Sequence, residues 1–155
     1  MKDRVAIPAT AVPATSTTNY PEPFAERVAG RQKRALGEAF WLCAYGVNFV
    51  TLPPGVMSAL RHCHTVQEEF VYVLDGERTL VHDAGEIICT AGMCAGFLPG
   101  GTAHHFVNRS AAPASFLVVG DRREGDCGAY PDDDLKAVQV EGAWHFTRKD
   151  GRKYQ

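Results

Sequence analysis

No apolar run in the sequence approaches the roughly 20 residues that a helix needs to cross a bilayer. The early stretch Val5-Ala6-Ile7 is cut by Pro8 before the apolar region of a secretory signal could develop. A basic excess is missing as well. Sixteen Lys and Arg against 18 Asp and Glu leave a formal charge of −2, which creates no field to gather nucleic acid or acidic lipid. Neither DNA, RNA nor a membrane is therefore expected as partner. The one short basic stretch, Arg31-Gln32-Lys33-Arg34, has no helix-turn-helix pattern beside it and reads as a charged face. Paired cysteines are lacking too. Cys43, Cys63, Cys89, Cys94 and Cys127 are odd in number and contain no Cys-x-x-Cys spacing, which fits neither a disulfide framework nor a zinc knuckle. Such thiols suit a reducing cytoplasm.

The 155 residues, 45% of them hydrophobic, suffice for the core of one domain and leave little for a second. Residues 8–23 are rich in Pro, Ala and Thr, a composition that cannot bury enough apolar surface to fold alone. This stretch reads as an extended arm. Phe24, Val28 and Leu36 sit at loosely helical spacing, but Gly30 and Gly37 limit the segment to a short helix or a tether. From Phe40 the writing changes to short runs rich in Val, Phe, Tyr, Ile and Leu, separated by turn residues. The runs are Tyr45–Leu52, Leu60–His64, Glu69–Leu74, Glu77–His82, Glu86–Thr90, Cys94–Leu98, His104–Asn108 and Ser115–Val119. An all-β sandwich or jelly-roll barrel is the economical solution. The division expected is an arm and tether over 1–39, a barrel over 40–120 and a C-terminal extension over 121–155 that packs on the barrel. In that extension Trp144–Thr147 reads as one more strand, and Asp132-Asp133-Asp134 as a solvated loop or helix cap.

Chemistry concentrates in two segments. His62 and His64 are two apart on a strand and so share a face, letting two imidazoles converge. Glu69 heads the next apolar run, and a turn through Thr65-Val66-Gln67 would bring its carboxylate beside them. Two neutral nitrogens and an anionic oxygen suit a first-row divalent metal. His104, following the tight turn Pro99-Gly100-Gly101 at a strand start, is a plausible fourth ligand. Glu68 points to the opposite strand face from Glu69, and His105 faces away from His104. Cys63 lies between the paired histidines on the other face and reads as a small buried thiol. Cys89 and Cys94 flank a turn, with core packing or a redox pair as their two readings.

These residues carry a resemblance. H-x-H-x4-E-x6-G, ending at Gly76, and P-x-G-x2-H-x3-N, ending at Asn108, are similar to the two motifs of the cupin superfamily, whose members are double-sheet jelly rolls. Six residues separate Gly55 from His62 and Gly92 from Pro99, where the usual motif has five; this lengthens turns and leaves the ligands in place. The flanking pieces Tyr20-Pro-Glu-Pro-Phe, Gly46-Val-Asn, Gly120-Asp-Arg and Tyr130-Pro-Asp-Asp-Asp-Leu-Lys look like those of bacterial single-domain cupins of about this length.

The resemblance implies one divalent ion (Fe, Mn, Ni, Co, Cu or Zn) held by His62, His64, Glu69 and His104. Four protein ligands leave one or two coordination positions open for a small molecule. Phe97 and Phe106 share inward strand parity and either line a pocket over the ion or fill the barrel. Asn108 is expected to support a turn or a strand end. The function implied is a metal-dependent enzyme of oxygenase, isomerase or lyase type acting on a small molecule. A non-catalytic binding or sensing protein is the alternative, and a metal that only ties the barrel together is a third possibility. An enzyme would need a further proton-transfer group near the ion, and Tyr45, Tyr72, Arg61 and Arg78 are the candidates. By analogy with cupins that pair through outer sheet faces, a homodimer is expected.

Overall fold

The structure is a computed structural model that describes residues 5–154. A single turn of helix, α1 (Phe24–Arg27), precedes twelve strands. These are β1 (Gln32–Ala35), β2 (Tyr45–Leu52), β3 (Cys63–His64), β4 (Glu69–Asp75), β5 (Glu77–His82) and β6 (Gly85–Thr90). They continue with β7 (Cys94–Phe97), β8 (His104–Val107), β9 (Ala114–Asp121), β10 (Cys127–Ala129), β11 (Lys136–Val140) and β12 (Ala143–Thr147). One antiparallel sheet has the order β1-β2-β9-β4-β7. Opposite it lie β6-β5-β8 and β12-β11-β10-β3. Backbone bridges from Met57 to Val107 and from His62 to His104 join these last two into one layer. This is the expected all-β double-sheet jelly roll.

Alternation along the strands builds the core. Val71 and Val73 of β4 turn inward beside Val50, Leu52 and Phe116, and meet Leu80, Cys89 and Phe106 from the opposite layer. Burying a side chain of this size contributes roughly 1.5–3 kcal/mol. The face of β4 that carries Phe70, Tyr72 and Leu74 points outward. Cys89 sits in the core on β6 while Cys94 is exposed on β7, in the other sheet. Core packing, not a redox pair, therefore accounts for Cys89. Cys63 is only half-buried.

Both chain ends build on this frame. The arm pairs with β1 through the backbone of Thr15 and Lys33. A second apolar cluster unites Phe24 and Val28 with Leu60, Tyr130, Leu135 and Ala137. The acidic triplet is not merely solvated, because each carboxylate meets an arginine of a different segment: Asp132 with Arg61, Asp133 with Arg27 and Asp134 with Arg148. Asn108 is fully buried and donates to the carbonyls of Leu52 and Ala112, both at 2.8 Å, while its Oδ1 accepts from the backbone and hydroxyl of Ser110. It is the strand-end support expected of it.

Candidate metal centre

The convergence begins in the backbone. His62 and His104 exchange both N–H···O bonds of an antiparallel pair, at 3.1 and 2.8 Å, so their side chains emerge together on one face. The Pro99-Gly100-Gly101 turn is anchored by the Gly100 N–H donating to the His64 carbonyl at 2.7 Å. Glu69 arrives from the opposite sheet, where it stands across from Phe97. Ligand atoms of His62, Glu69 and His104 lie within 4.8 Å of one another. His64 sits just outside this trio, with its Nε2 4.0 Å from Glu69 Oε2. Glu68 is more than half exposed and 3.6 Å from Arg123, so the glutamate facing inward is Glu69.

Each imidazole is oriented by its other nitrogen. The Nδ1–H of His62 donates to the Leu60 carbonyl at 2.7 Å. The Nδ1 of His64 meets Asp126 Oδ2 at 2.5 Å, and that of His104 faces the Thr102 carbonyl at 3.4 Å. In His62, whose Nδ1 is the donor, the lone pair sits on Nε2. His104 Nε2 donates directly to Glu69 Oε1 at 3.3 Å. Burial lowers the His62 pKa to about 4 against the attraction of Glu69, so this ring is neutral. Burial works against the Glu69 carboxylate, yet the His104 hydrogen bond and the surrounding imidazoles hold its pKa below the ordinary value. Neutral imidazole nitrogens beside an ionised carboxylate are the donor set a first-row divalent cation takes.

Asp126 escaped the sequence reading. It is fully buried and accepts from the backbone N–H groups of Thr65 and Val66 at 3.0 and 2.9 Å as well as from His64. Carboxylate–histidine contacts of this kind fix tautomer and ring orientation in metal sites. Burial raises its pKa, but the bonds from His64 and the backbone outweigh that and lower it.

Of the two phenylalanines expected over the site, Phe97 stacks face to face on His104, with centroids 3.3 Å apart, and backs the ligand. Phe106 lines the cavity above it. That cavity encloses about 340 Å³ and reaches from His62, His64, Glu69 and His104 toward the arm. Tyr130 stacks over His62 at 5.8 Å and Trp144 stands edge-on to His64 at 5.9 Å. Tyr20 completes this wall, its hydroxyl 3.5 Å from that of Tyr130. Burial raises the pKa of both phenols, so they stay protonated.

None of the four proton-transfer candidates named from sequence borders this cavity. Tyr45 and Tyr72 are exposed on the outside of the barrel. Arg61 is spent on Asp83 and Asp132. Arg78 lies wholly in the core, 4.2 Å from the Phe116 ring centroid, with burial lowering its pKa to about 10. The groups that do border it are Tyr20, Arg31, Lys33, Gln67 and Tyr130. Arg31 and Lys33 belong to the stretch read as a charged face, yet both line the cavity. Lys33 pairs with Val50, a core residue, and therefore points inward.

The model of the Cupin domain family matches residues 48–120. Among solved structures, a sugar phosphate isomerase from a cupin superfamily, from Silicibacter pomeroyi, is 40% identical, with 97% of this chain and 96% of that one covered and a TM-score of 0.92. A candidate sugar phosphate isomerase from Acidithiobacillus ferrooxidans is 27% identical over 83% of this chain and 82% of that one, with a TM-score of 0.75. The polyketide cyclase RemF from Streptomyces resistomycificus, at 22% identity, 75% and 78% coverage and a TM-score of 0.62, shares the fold. No curated protein matches the chain.

Proposed function

The chain belongs to the cupin superfamily, and from that premise we propose that it is a divalent-metal-dependent enzyme acting on a small molecule, with isomerisation of a sugar phosphate as its reaction. The observation that carries the reading is the meeting of His62, Glu69 and His104 at the floor of a 340 Å³ cavity, in a chain 40% identical over nearly its whole length to a protein named a sugar phosphate isomerase. A cavity of this size suits a small metabolite.

His62, His64, Glu69 and His104 would hold the ion, and Asp126 would keep His64 turned toward it. Once bound, the ion would act as a Lewis acid on a carbonyl or hydroxyl of the substrate. The protonated phenols of Tyr20 and Tyr130 are placed to donate hydrogen bonds to substrate oxygens, while Trp144 and Phe146 shield that side of the cavity from water. The reading includes a cytoplasmic homodimer. Its self-association is supported by the outward side chains Phe70, Tyr72 and Leu74, exposed by 45, 41 and 38%.

Metal-loaded protein incubated in D2O with a panel of aldose and ketose phosphates should interconvert one pair and exchange deuterium into the carbon next to the carbonyl, as followed by proton NMR. Chelation should abolish both. Binding of these compounds without conversion or exchange would overturn the enzyme reading in favour of a sensing or binding protein.

A further inference from the structure

Two cations line the cavity without an ion-pair partner. Among the described residues, neither Arg31 nor Lys33 makes an ion pair. Arg31 is instead fixed by backbone carbonyls, its Nη1 donating to Ser58 at 2.7 Å and its Nη2 to Thr17 at 3.5 Å. Lys33, two residues on and within β1, enters the same cavity opposite Val50. Glu69 is the one carboxylate among the cavity-lining residues, and it belongs to the ligand cluster. Buried charge is costly unless it is paired. Burial lowers the pKa of both groups, and the nearness of Arg31 lowers that of Lys33 further against a weaker pull from Glu38. An anion arriving between them would relieve that cost through charge-assisted hydrogen bonds.

We propose that Arg31 and Lys33 form an anion subsite that seats the phosphate of the substrate at the arm side of the cavity, leaving its carbonyl end to reach toward His62, Glu69 and His104. This assignment rests on the proposed isomerase reading for the identity of the anion, while the subsite itself rests on the cation pair. It gives β1, which lies outside the family domain of residues 48–120, the task of choosing phosphorylated over neutral sugars.

The test uses inorganic phosphate as probe, titrated at constant ionic strength and followed by phosphorus NMR line broadening, on the protein with and without metal. Phosphate should bind the metal-free protein, at least tenfold more weakly after Lys33→Met, with Lys33→Arg restoring most of the affinity. Metal content and unfolding temperature should be the same in all three. Absence of binding to the metal-free wild type, or equal affinity in Lys33→Met, would overturn the subsite. The two readings also fail separately. Equal turnover of phosphorylated and unphosphorylated sugars would sink the subsite and leave the isomerase standing. Lys33-dependent phosphate binding without any sugar phosphate conversion would do the reverse.

Discussion

The Nδ1 of His64 meets the Oδ2 of Asp126 at 2.5 Å, across 62 residues of sequence, and this contact aims the His64 lone pair at the cavity. Removing such an outer carboxylate costs metal sites about 10–100-fold in affinity. Asp126→Ala should show a loss in that range by competition with a chelating dye. It should also lower the unfolding temperature, since the N–H groups of Thr65 and Val66 lose their acceptor. An unchanged affinity would remove Asp126 from the site.

Glu69 and Glu68 are neighbours with opposite directions, and they separate the ligand reading cleanly. Protein purified without chelator should lose most of its metal in Glu69→Gln and in His104→Ala, and keep it in Glu68→Gln, as read by elemental analysis for all first-row metals. A Glu69→Gln protein as rich in metal as the wild type would break the assignment.

Asn108 donates to the buried carbonyl of Leu52 and to that of Ala112, which the Ser110 hydroxyl also reaches at 3.0 Å. Leaving buried acceptors unpaired costs about 1–3 kcal/mol each. Asn108→Ala leaves the Leu52 carbonyl unpaired and should therefore shift the denaturant midpoint down by an amount equivalent to about 1–3 kcal/mol, with His62, His64, Glu69 and His104 undisturbed.

Acid should loosen the end of β9. The bond from Arg123, opposed by some burial and aided by the Glu68 N–H, lowers the Asp121 pKa to about 2. The folded pKa lies below the unfolded one, so the ionised carboxylate stabilises the fold fully above about pH 4 and ceases to do so as pH falls through about 2. Between those limits the wild type should lose stability more steeply than Asp121→Asn, which has nothing there to protonate. Parallel slopes would show that Asp121 contributes nothing.

The outer face of β4 should govern assembly. Phe70→Glu places a charge in the middle of that apolar face and should convert a dimer into a monomer by sedimentation, with metal content unchanged. A wild type that sediments as a monomer at assay concentration would end the dimer reading.

Much of this was legible in the sequence. Most strands between Tyr45 and Val119 announced themselves because β-branched and aromatic runs alternate with Gly and Pro turns, while the run Leu60–His64 keeps strand pairing only at Cys63–His64 and a bridge at His62. His62, His64, Glu69 and His104 could be named because their spacing sits on short, regular local elements. What stayed hidden depends on partners far along the chain. β1 reads Gln-Lys-Arg-Ala and β10 reads Cys-Gly-Ala, neither with a strand's usual composition, and each is held as a strand by its neighbours. Asp126 lies in a polar stretch with nothing local to mark it. Tyr20 and Tyr130 did carry a signal, since both fall in flanking pieces that resembled other single-domain cupins, but no local rule turns that into a cavity wall. For Arg31 and Lys33 the signal was the i, i+2 spacing itself, masked by the apparent charge of the whole basic stretch.

Tyr20 touches Tyr130 across 110 residues, so both ends of the chain are needed to finish one cavity. A ribosome adding roughly 5–20 residues per second needs about 1–4 seconds to pass from His104 to Asp126. During that interval all four proposed ligand residues have been made while the group that orients His64 has not. On the proposed metal reading, selective loading would wait for Asp126, and a chain shortened before it would offer histidines without the geometry to discriminate among ions.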